Sequence, residues 1–114
     1  MHELSVVFYI IDEVKKVAAE NQISKISKVT VQLGEVSTVI PSYLEDCWNW
    51  ARTKHDLLKE ARMCIEPIRA LSWCEDCGKI YPTIPQGKTC PYCNGLHTWL
   101  KQGSEFLIKE IEAE

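Results

Sequence analysis

The spacing of apolar residues predicts two amphipathic helices. Between residues 4 and 20, apolar residues recur at intervals of three and four with charged residues between them, which is the pattern of a half-buried helix. A second helix is expected at about 41–54, because Pro41 suits a first helical turn, where its missing N–H costs nothing. The apolar positions are Leu4, Val7, Ile11, Val14 and Ala18 in the first helix, and Leu44, Cys47, Trp48 and Ala51 in the second.

Three segments alternate as strands do. From residue 26 to 36, Val29, Val31 and Leu33 alternate with polar residues, which predicts a half-buried strand. A second strand is expected within 62–73, where Pro67 indicates a bulge or a sheet edge. A third strand is expected at 105–111.

Because a strand returns after a cysteine-rich segment, that segment is expected to be an insertion. The predicted fold class is α+β, with two helices packed on a small three-stranded sheet and an inserted zinc-ribbon-like module of hairpins. We expect residues 1–72 plus 100–114 to form an α/β domain and residues 73–99 to form the metal-binding module.

Composition narrows the classes of function. The chain has 114 residues and a formal net charge of −3, and its thirteen Lys and Arg residues are scattered. Nucleic-acid binding normally needs a basic stripe, and none is present in the sequence. There is also no apolar run long enough to span a membrane and no basic segment of a signal peptide, so a cytoplasmic protein is expected.

Two cysteine pairs predict a metal site. Cys74 and Cys77 form one Cys-x-x-Cys turn, Cys90 and Cys93 form another, and twelve residues separate them. Two such turns facing each other offer four thiolates in a tetrahedron, which suits structural zinc. A rubredoxin-type iron or two disulfides are the alternatives.

Three other residues, His97, Cys47 and Cys64, are of types that can bind a metal. His97 follows the second pair by four residues and is either a surface residue or a replacement ligand. Cys47 and Cys64 lie in a predicted helix and strand, and we expect both to serve packing.

A second metal site is indicated at the start of the chain. We expect the mature chain to keep Met1, because the side chain of His2 is too large for methionine removal. The Met1 amine, the His2 amide and the His2 imidazole can chelate one metal, with the amide of Glu3, its carboxylate or another group as a fourth donor. Such nitrogen-rich sets suit Ni(II) and Cu(II).

Together these segments resemble the HypA/HybF family of nickel-insertion accessory proteins. The resemblance covers the whole chain. The matching segments are Met1-His-Glu-Leu-Ser5, Leu33-Gly-Glu-Val-Ser37, Trp73-Cys-Glu-Asp-Cys-Gly78, Cys90-Pro-Tyr-Cys93 and Gly103-Ser-Glu-Phe-Leu-Ile108.

The resemblance implies a nickel metallochaperone that assists [NiFe]-hydrogenase maturation. His2, with Met1 and Glu3, would hold nickel as transient cargo, and the four cysteines would hold structural zinc. The implied partners are a HypB-type GTPase and the precursor of the hydrogenase large subunit. Since the sequence contains no phosphate-binding loop of its own, nucleotide energy would come from the partner.

The chain departs from some family members at three positions. Ile40 stands where some members have a carboxylate near the nickel site, and Gly78 and Asn94 stand where some have a histidine after a cysteine pair. The resemblance therefore does not extend a pH-responsive zinc site or urease service to this chain.

Two other functions remain as alternatives. The first is a zinc-ribbon adaptor that binds protein or nucleic acid without transferable metal, with Trp73, Tyr81, Tyr92 and Trp99 as stacking residues. The second is electron transfer at an iron-loaded site. Catalysis by the chain itself is not expected, because the spacing suggests no pair of nucleophile and base. A homo-oligomer is compatible with the sequence.

Overall fold

The computed structural model describes residues 3–113, with the backbone alone at Pro85. Helix and strand alternate only in the first part of the chain, and two short 3₁₀ turns lie at Arg52–Lys54 and Asp56–Leu58. In chain order the elements are α1 (Glu3–Glu20), β1 (Ile26–Gly34), α2 (Pro41–Ala51), β2 (Arg62–Ile68), β3 (Leu71–Cys74), β4 (Lys79–Pro82), α3 (Thr83–Gln86), β5 (Thr98–Gln102) and β6 (Phe106–Ala113).

Two sheets of three strands are present in this part of the chain. One has the order β2-β1-β6, and the other has the order β4-β3-β5 with both pairings antiparallel. The predicted fold class is confirmed: two helices, a small sheet and inserted hairpins that carry the four cysteines. Within residues 3–113, no helix is long and apolar enough to cross a membrane.

The chain divides into two compact units. The first unit contains the chain up to Gln32, residues Thr38–Glu66 and the chain from Leu107 onward; the second contains Leu33–Ser37 and Pro67–Phe106. The boundaries expected from the sequence for a nickel-binding part and a zinc-binding part stay a prediction.

The first unit has an apolar core between its elements. α1 contacts α2, and each helix buries one face. Trp48 is fully buried, and its indole Nε1 donates a hydrogen bond to the Ala61 carbonyl at 3.0 Å. Leu4 is an exception to the predicted apolar face, since it lies in the first turn of α1 and is 39% exposed. The buried apolar residues of both helices are Val7, Ile10, Ile11, Val14, Ala18, Leu44, Trp48 and Ala51.

The second predicted strand is present within 62–73 as β2, which ends at Ile68. A further strand that was not predicted, Leu71–Cys74, follows it and pairs in the other sheet. The break between them is held by side chains, because the Ala70 N–H donates to the Glu35 carboxylate at 2.6 Å and the Gln102 amide donates to the Arg69 carbonyl at 2.9 Å.

The segment Leu33–Ser37 is tied to the rest of the second unit by its backbone. The Gly34 N–H donates to the Glu105 carbonyl at 2.8 Å, and the Val36 N–H donates to the Gly103 carbonyl at 2.9 Å. A Cβ atom at Gly34 would overlap the backbone of Gly103 and Ser104. Glycine is therefore the only residue that fits at position 34, where the two backbone segments lie so close together.

Gly34→Ala is therefore expected to destabilise the protein by about 1–3 kcal/mol or more, because backbone rather than a flexible side chain must move. Gly95→Ala is the matched control, since the nearest atom to its added methyl group would be a carboxylate oxygen of Asp76, the end of a side chain that can rotate away. Urea unfolding of both variants measures the difference. A loss in Gly34→Ala no larger than that in Gly95→Ala would contradict the close approach.

Candidate metal centre

The four paired cysteines meet at one point of the second unit. Cys74 ends β3, Cys77 precedes β4, and Cys90 and Cys93 lie on the second turn. Their four sulfur atoms all lie within 4.8 Å of one another. The structure thus brings together every cysteine that the spacing assigned to the metal.

The sulfur distances fit a tetrahedral metal. Cys74 Sγ lies 3.6 Å from Cys93 Sγ, and Cys77 Sγ lies 3.7 Å from Cys90 Sγ. Four sulfurs at zinc's bond length would stand about 3.8 Å apart in a regular tetrahedron, whereas a disulfide needs about 2 Å. All six cysteines are free thiols in the structure, so the two-disulfide alternative does not describe it.

The two turns share one backbone arrangement. The Gly78 N–H donates to the Cys74 carbonyl and the Asn94 N–H donates to the Cys90 carbonyl, both at 2.9 Å. Gly78 has φ 70° and Asn94 has φ 60°, in the left-handed region that glycine and asparagine tolerate best. This conformation gives a physical reason for glycine and asparagine at these two positions.

Backbone amides point at the sulfurs of the second turn. The Tyr92 N–H donates to Cys90 Sγ at 3.4 Å, and the Gly95 N–H donates to Cys93 Sγ at 3.3 Å. Such bonds favour the thiolate, which is the form that binds metals.

The four thiols differ in how readily they lose a proton. Burial opposes ionisation of Cys90, but the amides of Tyr92 and Cys93 outweigh it and lower the pKa of this thiol to about 7. At Cys93 the Gly95 amide favours the thiolate, yet burial and the three neighbouring sulfurs raise the pKa to about 12. Burial also raises the pKa of Cys77. A metal would displace protons from Cys77 and Cys93, so its affinity should increase with pH.

The candidate metal ligands also form a buried cluster in the second unit. Its buried cluster consists of Cys74, Tyr81 and Cys90, with Cys77 packed against it. The Tyr81 hydroxyl donates to the Gly87 carbonyl at 2.9 Å. This cluster has few large apolar side chains, so a bound metal would add to the cohesion of the second unit.

His97 lies apart from the four sulfurs. Its side chain is 75% exposed, and its Nδ1 atom lies 3.0 Å from the Asp76 carboxylate. The metal-binding cluster found among residues 3–113 contains the four cysteines without this histidine. The structure therefore places His97 on the surface beside the first cysteine turn.

The two cysteines outside the Cys-x-x-Cys pairs were predicted to serve packing. Cys47 and Cys64 are only partly buried, so their packing role is less complete than expected.

The aromatic residues near the cysteines give little support to base stacking. Tyr81 is fully buried and cannot stack on a base. Trp73 faces Trp99 across β3 and β5, and Trp99 is 52% exposed. Trp73 is half-buried, and Tyr92 is 58% exposed. A few exposed aromatic residues in a chain whose Lys and Arg residues are scattered are a weak basis for nucleic-acid binding.

Met1 and His2, the residues expected to hold nickel, lie outside the described residues. Glu3 is described, and only 7% of its surface is exposed. Its carboxylate oxygen Oε2 accepts the Ile40 N–H at 3.0 Å. The sequence pattern gives no signal of this contact, because 37 residues separate the two partners and periodicity reports only on nearby residues.

The comparison with known proteins gives a result that agrees with a metal-binding role of the four cysteines. Residues 1–113 match the family model described as "Hydrogenase/urease nickel incorporation, metallochaperone, hypA". The chain belongs to the HypA family. The hydrogenase maturation factor HypA of Geobacter metallireducens is 32% identical over 114 residues, covering all of both chains. Its counterpart in Shewanella oneidensis is 30% identical over 114 residues, covering 100% of this chain and 96% of the relative.

Solved HypA structures share the fold. The solution structure of the Ni metallochaperone HypA from Helicobacter pylori has a TM-score of 0.72 at 28% identity, covering 99% of this chain and 97% of that one. A second HypA solution structure has a TM-score of 0.76 at 27% identity, covering 100% and 97%. The family resemblance inferred from the sequence is thus confirmed over the whole chain.

Proposed function

We propose that this protein is a nickel metallochaperone of [NiFe]-hydrogenase maturation. The match of residues 1–113 to a family of nickel-incorporation metallochaperones carries this proposal. The chain would bind Ni(II) as cargo at its N-terminus and assist its insertion into the precursor of the hydrogenase large subunit, together with a HypB-type GTPase.

Zinc at the four cysteines would be structural. The sulfur distances of 3.6 and 3.7 Å and the all-thiolate donor set support Zn(II) held by Cys74, Cys77, Cys90 and Cys93. Four protein ligands leave no open position, so this metal would hold the second unit together rather than be transferred. Thiols that bind zinc must stay reduced, which supports the proposed cytoplasmic location.

Nickel would be held by nitrogen donors at the chain terminus. The Met1 amine and the amide and imidazole of His2 form two fused chelate rings, and Glu3 or another group completes the set. A chelate at a chain terminus is partly exposed to solvent, so few contacts must break when the nickel leaves. Such a site suits a protein that must release its cargo. In this proposal the nickel-binding part is residues 1–72 plus 100–114, and the zinc-binding part is 73–99.

Nickel titration tests the terminal site. We expect wild type to bind one Ni(II) per chain, and His2→Ala to bind it at least about a hundredfold more weakly, since even second-shell changes cost tenfold to a hundredfold. A variant with one residue added ahead of Met1 should lose affinity similarly, because its amine no longer joins the chelate.

His55→Ala is the matched control, because it removes a histidine from the same unit and leaves the terminal sequence unchanged. It should bind nickel as wild type does. Equal one-to-one binding by wild type, His2→Ala and the extended variant would rule out the terminal chelate.

A further inference from the structure

A cleft in the first unit is lined by two arginine side chains. Its volume is about 290 Å³. Part of the lining comes from one face of α2 and the turn that follows it, at intervals of four and three residues, and part comes from the first three residues of β2. All of these residues belong to one compact unit. The lining residues are Glu45, Asn49, Arg52, Arg62, Met63 and Cys64.

The charge of this lining is opposite in sign to that of the whole chain. The cleft has two guanidinium groups and a single carboxylate, whereas the chain carries a formal net charge of −3. Among residues 3–113, neither arginine forms an ion pair with Glu45 or with any other carboxylate. A guanidinium group without a protein carboxylate is a strong donor to a bound oxyanion. The cleft is therefore a local site of anion attraction on an acidic protein.

The protein already holds one of the two guanidinium groups in place. Arg52 Nε donates a hydrogen bond to Asn49 Oδ1 at 3.4 Å, and Arg52 Nη1 donates to the Lys59 carbonyl. These bonds leave Arg52 Nη2 available to donate to a ligand. Arg62 is exposed, and its side chain has no hydrogen-bond partner in the described part of the chain. Both arginines thus have donors to offer.

The size of the cleft and its apolar residue indicate a ligand with two charged groups. One water molecule occupies about 30 Å³ in the liquid, so the cleft has room for a molecule of several carbon atoms rather than a single inorganic ion. Met63, which is 9% exposed, offers an apolar contact to a methylene chain. Because Arg52 and Arg62 come from different elements of the fold, each can bind its own carboxylate.

We propose that this cleft binds a small dicarboxylate. Arg52 and Arg62 each bind one carboxylate, and the methylene groups between the carboxylates contact Met63. Glu45 disfavours a third negative charge on the ligand, because like charges in the same cleft repel each other. The site involves neither the proposed nickel chelate nor the four clustered cysteines.

Succinate is the probe that tests this site. The full-length, zinc-loaded protein would be titrated with succinate at constant ionic strength and followed by amide chemical shifts. Shifts at the lining residues should saturate, with a dissociation constant of about 1–10 mM. Butyrate has the same carbon chain with one carboxylate, and it should bind about fivefold more weakly or worse.

Substitutions of the exposed arginine test its part in binding. Arg62→Gln should weaken succinate binding about fivefold, because it removes a charge-assisted contact at a solvent-accessible position. Arg62→Lys keeps the charge without the planar fork, so its affinity should fall between the two. Arg69→Gln is the matched control, because Arg69 is an exposed arginine of the second unit, and it should bind succinate as wild type does.

Cys64 gives a second readout that needs no substitution. Because its thiol lines the cleft, saturating succinate should slow its alkylation by iodoacetamide at least about threefold, as expected when the ligand occupies most of the sites. Cys47 is a partly buried thiol of α2 that does not line the cleft, and its alkylation rate should stay unchanged.

Four results would overturn the proposal. The first is a set of shifts that sodium chloride at the same ionic strength reproduces, and the second is equal succinate affinity in wild type and Arg62→Gln. Butyrate binding as tight as that of succinate would refute the pair of carboxylates. Unchanged alkylation of Cys64 at a succinate concentration that saturates the shifts would show that the ligand binds elsewhere.

Discussion

Removing the metal from the four cysteines is expected to unfold the second unit. The buried cluster of this unit consists of two of the metal ligands, Cys74 and Cys90, together with Tyr81. In structural zinc modules, metal binding contributes on the order of 10–16 kcal/mol, and that free energy is also the free energy of folding. Cys90→Ser, or treatment with a strong chelator, should therefore abolish the β4-β3-β5 sheet.

Amide hydrogen exchange along β3, β4 and β5, together with zinc analysis, measures this effect. Cys47→Ser is the matched control, because Cys47 is a partly buried thiol of α2 outside the cluster. This control should keep one zinc per chain and a protected second sheet. A metal-free protein whose second sheet remained protected from exchange would contradict a structural role for the metal.

Replacing Trp48 is expected to have the largest effect in the first unit. Trp48 is fully buried, and its indole N–H is bonded to the Ala61 carbonyl at 3.0 Å. Trp48→Ala would leave a large cavity and a carbonyl without that donor, at a cost of about 3–5 kcal/mol. This is a large part of the stability of a small domain.

Urea unfolding of the zinc-loaded protein, followed by the helix signal, measures the loss. Trp50→Ala is the matched control, since Trp50 lies on the same helix with 55% of its surface exposed and Lys54 over its ring at 5.1 Å. We expect this substitution to cost less than about 1 kcal/mol. Similar losses in both variants would contradict the packing assigned to α2.

The helices could be predicted from the sequence because their signals are local. The three- and four-residue spacing from Val7 to Ala18 requires one apolar face, and that face is buried in the structure. Leu4 follows the same spacing, yet it is exposed. Periodicity identifies the side of a helix and not how far the core extends along it.

The four clustered cysteines were predictable for a related reason. Two Cys-x-x-Cys turns are typical of a tetrahedral thiolate site, so spacing alone selected Cys74, Cys77, Cys90 and Cys93. The order β2-β1-β6 could not be read in this way, because it depends on pairings between distant segments.

Two carboxylates escaped prediction because their partners are distant in sequence. Glu3 accepts the Ile40 N–H and Glu35 accepts the Ala70 N–H, across 37 and 35 residues respectively. Neither contact leaves a periodic pattern. The Glu35 contact lies at the break between β2 and β3, where the sequence pattern predicted only one strand.

The most direct test of the nickel site is X-ray absorption at the nickel edge, on wild type and His2→Ala loaded with one equivalent of Ni(II). For wild type we predict a first shell of nitrogen and oxygen donors that includes imidazole, without sulfur. His2→Ala should lose the imidazole signal and bind little nickel. Sulfur ligation in wild type, or the same spectrum from both proteins, would contradict a nickel cargo held at the N-terminus.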